Sequence, residues 1–447
     1  MRNFLLILSV VSVLALACLQ PAIEASAQMS LLAEINQIKA IDNHAHPQRL
    51  TAAGEIDTEW DALPFEAYEF TSLESLPIGL RPTNLKYIEA WRALFGYKHN
   101  DMSEEHVREL VAAKQRVMRE QGDRYPAWVL DRIGIGTMLA NRVAMGRGLA
   151  APRYRWVSYV DALMYPLQNS ALRKWRPRYG KLYDGIEQMQ KRYLNESGVK
   201  AVPPTMDEYL SKVVVATLER HKQGGALAVK FEAAYLRRLD FDDVAESDAR
   251  SVYARYAKGG EASLAEYKKL QDYLFRYIAR EAGRLGLAVH IHVSAGAGAQ
   301  FELSGANPLL LDAALSDAAL TKTNFVIVHG GWPFTKEVAF LLNKPNIYAD
   351  FSAQTFLLSP RKLSEVIRDW LELYPEKALF GTDAFQITPE IGWEEAAWFT
   401  TATAREALAM ALTGMIDDGL ITRERASELA RMVMRENAIK LYGLKTQ

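Results

Sequence analysis

The sequence predicts an α/β fold, a (β/α)8 TIM barrel with helical insertions after its first and third strands. Three observations predict it. From about Ala226 onward, short apolar runs alternate with longer amphipathic segments at about 30 residues per unit, the signature of βαβ units and a parallel sheet. Three further apolar runs upstream raise the strand count to eight, the number that closes such a barrel. Residues capable of chemistry gather at the carboxyl ends of these runs, where barrels of this kind carry their sites.

Each element has its own signal. Strand one is placed at Ala40–His46, strand two at Thr137–Arg142 and strand three at Arg155–Leu163. The stretch 48–136 is too long for one crossover, and it contains helical patterns at Leu85–Phe95 and Glu104–Arg119. It is expected to cap the barrel mouth, and a second helical insertion is expected at 169–200. Strands four to eight follow at Ala226–Phe231, Leu287–Val293, Phe325–His329, Asn346–Phe351 and Ala378–Gly381. The helices between them are expected at Leu264–Leu285, Pro308–Leu320, Thr335–Asn343 and Arg361–Tyr374, several bounded by Gly or Pro. Glu390–Tyr442 closes the chain with terminal helices. No repeat of fixed period is present.

The first residues carry a different message. Met-Arg, an uncharged apolar stretch from Phe4 to Leu19 and the small residues Ala25-Ser26-Ala27 before Gln28 have the layout of a secretory signal peptide. The expectation is therefore a signal at 1–27 and a barrel enzyme at 28–447, exported to the periplasm or secreted, with no membrane span in the mature form. The alternative is a lipoprotein anchored through Cys18, the only cysteine of the 447 residues. After cleavage at Ala27 no thiol remains, which excludes disulfides, cysteine nucleophiles and thiolate ligands. The formal net charge of −1 argues against nucleic acid as a partner. A small-molecule substrate is expected, and either a monomer or a homo-oligomer is compatible with the sequence.

Four of the eight histidines lie at or near the ends of three predicted strands. His44 and His46 end strand one two residues apart, so both imidazoles face the same way and can grip one ion. The alternative is a pair of buried, hydrogen-bonded histidines. Strand five ends His290-Ile291-His292, where His292 is the ligand candidate and His290 packs one layer deeper or supports the ligands. His329 is followed by two glycines that let the loop turn away, and Asp383 follows the buried run of strand eight, where a helix N-cap is the plain alternative.

The order His-x-His, Lys, His, His, Asp on strands one, four, five, six and eight resembles the amidohydrolase superfamily. Lys230, His292, His329-Gly-Gly-Trp-Pro-Phe and Gly381-Thr-Asp383 resemble its amidohydrolase-2 branch, including the amidohydrolase domain of nodulin/glutamine-synthetase-like proteins. The likeness covers residues 38–50 and 225–390. It implies a metal set of His44, His46, Lys230, His292, His329 and Asp383 holding one or two divalent ions, zinc by donor type. It implies for Lys230 a carbamate bridging two metals; an unmodified catalytic or substrate-binding lysine and a plain ion pair stay open. Catalysis is expected from Asp383 as proton carrier, His329 as oxyanion stabiliser and Lys230. Tyr235, Arg237, Arg238 and Trp332 are expected to meet the substrate, the arginines suiting a carboxylate. Hydrolysis of an amide or ester-like bond is the leading expectation. Metal-dependent decarboxylation or uronate-type isomerisation is the alternative.

Overall fold

A computed structural model describes residues 28–52, 55–63 and 72–445. The expected signal at 1–27 lies outside these residues. Eight parallel strands form one sheet in the order β1 to β8: β1 (Ala40–Ala45), β2 (Ile135–Arg142), β3 (Tyr154–Tyr159), β4 (Ala226–Phe231), β5 (Ala288–His292), β6 (Phe325–Val328), β7 (Ile347–Asp350) and β8 (Ala378–Leu379). Their side chains are almost all buried, because a parallel barrel covers both faces of every strand, and this is why they read as continuous apolar runs. The edges meet through backbone bonds: Asn43 N donates to Phe380 O at 2.9 Å, Asp383 N to His44 O at 2.7 Å and His46 N to Ala384 O at 2.8 Å. The protein is thus a (β/α)8 barrel.

The amino ends of the strands pack Ile41, Leu139, Val157, Ala228, Ala288, Val326 and Leu379 into one apolar layer. The short helix Asn437–Tyr442 closes this end, with Ala438 buried in the layer and Ile439 and Leu441 packed against it. The outer helices bury one face each. Leu264–Arg284 starts at a capping box between Ser263 and Glu266 and packs Leu270, Leu274, Phe275 and Ile278 inward. Pro360–Leu373 starts from Ser359, whose side chain accepts from Lys362 N.

Between β1 and β2 lie the helices Lys86–Phe95, Glu104–Gln121 and Tyr125–Ile133, and between β3 and β4 lie Ser170–Trp175 and Gly180–Glu196 among others. Three expectations are corrected. Pro308–Leu320 is three short turns rather than one helix, because Asn307 and Asp317 each turn a side chain onto a local backbone N–H and restart the chain. Strand three ends at Tyr159 instead of Leu163: Asp161 starts a 3-10 turn whose carboxylate accepts from Glu232 N at 2.8 and 3.0 Å. His329 stands in the turn after β6, with φ 62°, rather than in the strand. Among the described residues no helix is long and apolar enough to cross a membrane.

Candidate active site

The carboxyl ends of the strands surround a cavity of about 590 Å³, and His44, His46, Lys230, His292, His329 and Asp383 all line it. His44 is in β1 and His46 just beyond it, their rings edge to face with centroids 5.1 Å apart. Their Nε2 atoms converge on one oxygen: His44 Nε2 is 3.2 Å and His46 Nε2 3.5 Å from Asp383 Oδ1. Asp383 reaches this point because the chain after β8 turns at φ 56° and is pinned by its N–H to His44 O. His329 Nδ1 lies 3.9 Å from Asp383 Oδ2, and its Nε2 is 3.1 Å from His292 Nδ1. The turn at His329 needs the glycine after it, since a Cβ on Gly330, at φ 53°, would sit 2.2 Å from the Trp370 ring. Lys230, on β4, brings Nζ to 3.4 Å from His44 Nε2.

Burial holds the His44, His292 and His329 imidazoles well below their usual pKa, assisted at His44 and His292 by the charge of Lys230 and at His329 by His292. They are therefore neutral, the state in which imidazole offers a lone pair. Around them stand groups that fix orientation. The Asp42 carboxylate accepts from Thr382 N at 2.9 Å and Thr382 Oγ1 at 2.6 Å, and Tyr159 Oη lies 3.2 Å from His46 Nδ1. Burial raises the Asp161 carboxyl to about 7, and it holds Glu232 well above the usual range, with Asp61 adding repulsion and a hydrogen bond.

His44, His46 and Asp383 are the group among the described residues whose donor atoms all lie within 4.8 Å of one another. His292 Nε2, beside them, is buried without a hydrogen-bond partner. Two imidazoles and a carboxylate at this spacing, with neutral imidazoles adjacent, fit a divalent ion.

Tyr235 lines the cavity and contacts the His292 ring at 4.6 Å. The other residues expected to meet the substrate do not line the cavity. Arg237 turns away from the cavity and is buried in an ion pair with Asp272 over the Phe241 ring. Arg238 pairs with Glu302 at 3.4 Å, and neither it nor Trp332 lines the cavity. Each arginine is paired with a carboxylate that does not line the cavity. The sequence reading missed the opposite wall: Trp60 and Asp61, the turns with Leu73, Leu76 and Leu80, and Phe356, Phe385 and Ile387. It also passed over Asp350, although a carboxylate ending an apolar strand is the same signal that singled out Asp383.

A family model described as Amidohydrolase matches residues 216–444, slightly more than half of the chain. The protein fluG of Emericella nidulans is 24% identical over 224 residues, which are 48% of this chain and 25% of fluG, so the chain spans about a quarter of that relative's length. Among solved structures, glucuronate isomerase from Caulobacter crescentus is similar over 95% of both chains with TM-score 0.63 and 13% identity. A proposed metal-dependent hydrolase from Lactobacillus casei is similar over 92% of this chain and 96% of its own, with TM-score 0.59 and 16% identity. Uronate isomerase from Thermotoga maritima is similar over 93% and 97%, with TM-score 0.54 and 14% identity. At such identities the structural likenesses speak for the barrel alone, while the matched model spans β4 to the terminal helices and includes Lys230, His292, His329 and Asp383. The chain belongs to the amidohydrolase family.

Proposed function

We propose that the protein is a metal-dependent hydrolase cleaving an amide or ester-like bond in a small molecule that carries an apolar group. The observation that carries this reading is the convergence of His44 Nε2, His46 Nε2 and Asp383 in a cavity with a largely apolar wall. His44, His46 and Asp383 would hold a divalent ion, zinc by donor type, with His292 and His329 beside it. When bound, the ion supplies Lewis acidity to the attacking water and the scissile carbonyl.

The chain's own groups do the rest. Asp383 has one oxygen toward the two imidazoles and the other toward His329, so it accepts the proton of the attacking water and passes it to the leaving group. Lys230 Nζ, 3.4 Å from His44 Nε2, supplies the positive charge that stabilises the oxyanion as it develops. Leu76, Leu80, Phe356, Phe385 and Ile387 seat the apolar group and exclude water. Isomerisation or decarboxylation of an acid is less well served: Arg237 and Arg238 are committed elsewhere, and Lys230 is the only lysine or arginine among the described residues lining the cavity.

Elemental analysis joined to a screen of apolar amides, esters, lactones and uronates tests the reading. Zinc-loaded protein is expected to hydrolyse an apolar amide or ester, to stop on chelation and to recover with added zinc. Folded, metal-loaded protein that isomerises a uronate and hydrolyses nothing would overturn it.

A further inference from the structure

Behind the cavity, a line of polar groups runs through the barrel to its opposite end. Tyr442, the last residue of the helix that closes the amino ends of the strands, sends its hydroxyl between His290 Nε2, at 2.7 Å, and Asn43 Oδ1. Asn43 Nδ2 donates to Asp350 Oδ2 at 2.7 Å. Asp350 Oδ1 accepts from Ser352 Oγ, from Ser352 N at 3.0 Å and from His329 N at 3.1 Å. Ser352 Oγ is in turn 2.9 Å from His329 Nδ1. Asn43, Asp350, Ser352 and His290 are fully buried, and His329 is 2% exposed.

With Asp350 ionised, the donors and acceptors of this line follow one from another. A carboxylate only accepts, so the Asn43 amide must turn its NH2 toward Asp350 and its oxygen toward Tyr442. The Tyr442 O–H then donates to Asn43, and its oxygen accepts from His290 Nε2–H. The Ser352 hydroxyl spends its proton on Asp350 and can only accept from His329, which must carry its proton on Nδ1. His329 Nε2 is left as a bare lone pair facing His292 and the cavity. Asp350 is the common acceptor that sets this polarity, and Tyr442 anchors the far end of Asn43 by donating to its Oδ1.

We propose that Tyr442 is a positioning residue for the centre: acting through Asn43, Asp350 and Ser352, it holds His329 in the Nδ1–H tautomer with Nε2 presented to the cavity. The inference rests on the reading of His329 as part of the active centre. Replacing Tyr442 by phenylalanine removes one oxygen and leaves two buried groups, Asn43 Oδ1 and His290 Nε2–H, without a partner. Asn43 then keeps its bond to Asp350 but loses its second anchor, and the hold on Asp350 and Ser352 loosens. Groups that orient metal-ligating imidazoles typically set metal affinity by about 10-fold or more. The C-terminal helix thereby belongs to the site that it closes from below.

The test uses full-length protein labelled with 15N in its histidines, read with and without zinc, together with zinc dissociation constants. The wild type is expected to show His329 protonated at Nδ1 alone, and Tyr442→Phe to show a mixture of tautomers and about tenfold weaker zinc. Leu441→Ala, on the same helix, removes packing and not the hydroxyl; it is expected to lower the melting temperature and leave tautomer and zinc affinity unchanged. His329 found as the Nε2–H tautomer in the wild type overturns the proposal even if no variant folds. Tyr442→Phe indistinguishable from wild type in both readouts, or Leu441→Ala matching it, does so as well. None of these readouts needs turnover, so an inactive protein would count against the hydrolytic reading alone.

Discussion

Among the described residues, five that are not glycine adopt positive φ: Ser294, Ala295, His329, Ala353 and Asp383. All five follow the carboxyl ends of β5 to β8, and Ala295, His329 and Asp383 line the cavity. Each such residue costs about 1–3 kcal/mol, a cost borne where side chains must be aimed rather than where the chain is merely connected. Aim matters most at Asp383. Asp383→Asn keeps the size and one oxygen for the metal but cannot take a proton, so turnover is expected to fall by about 10² or more while zinc stays bound, measured by steady-state rates and metal content on the same sample. Outside the site, His221 is buried between Trp156 and Tyr193, and burial, with Arg220 and Arg192 nearby, lowers its pKa from 6.5 to about 3. The folded protein therefore binds fewer protons than the unfolded chain between these values. The stabilisation is complete above pH 6.5 and is lost as pH falls toward 3, by ~1.4 kcal/mol per unit. His221→Gln is expected to flatten the acid side of the urea-stability profile by about one proton; an unchanged slope contradicts this. Strand-end histidines and Asp383 were legible in the sequence because spacing two on a strand fixes a shared face. Asn43, Ser352 and Tyr442 were not, since their roles depend on partners across the barrel up to 399 residues away.

At the level of elements, part of the wall opposite the histidines comes from the chain between β1 and β2, and one buried ion pair anchors it. Arg142, at the end of β2, donates to Asp57 through both terminal nitrogens at 2.8 and 2.9 Å, and to Pro47 O at 2.7 Å. Trp60 and Asp61 follow three and four residues later and line the cavity. Asp57→Asn leaves a buried guanidinium without its carboxylate and is expected to cost about 3 kcal/mol in denaturant unfolding. It should leave zinc bound, because His44, His46 and Asp383 do not touch it. A second tie joins the helix Glu104–Gln121 to Trp393–Asp417, where Lys114 Nζ meets Glu395 at 2.9 Å and Glu394 at 3.5 Å. The helices themselves were readable from their apolar periodicity and caps. Which of them would press against the cavity was not, because residues 55–63 and 72–80 make no regular pattern and gain their meaning from the ion pair and turns that place them.

Taken whole, the molecule is a barrel closed at one end by its own C-terminal helix and open at the other onto the cavity. The strand count and order were legible because burial on both faces leaves an apolar run at every strand. The placement of Arg237 and Arg238 outside the cavity was not legible, because a loop position after a strand says nothing of which way a long side chain turns. We propose that export removes residues 1–27; the intact mass of the secreted form should begin at Gln28, and a diacylated Cys18 terminus would contradict it. The proposed hydrolytic chemistry depends on an ion at the meeting point of β1 and β8. Anomalous scattering at the zinc edge from crystals of the zinc-loaded protein locates it directly. The expected result is a peak about 2.0–2.2 Å from His44 Nε2, His46 Nε2 and an Asp383 oxygen. Zinc-loaded, folded protein with no peak there, or with zinc only at another position, would contradict the account.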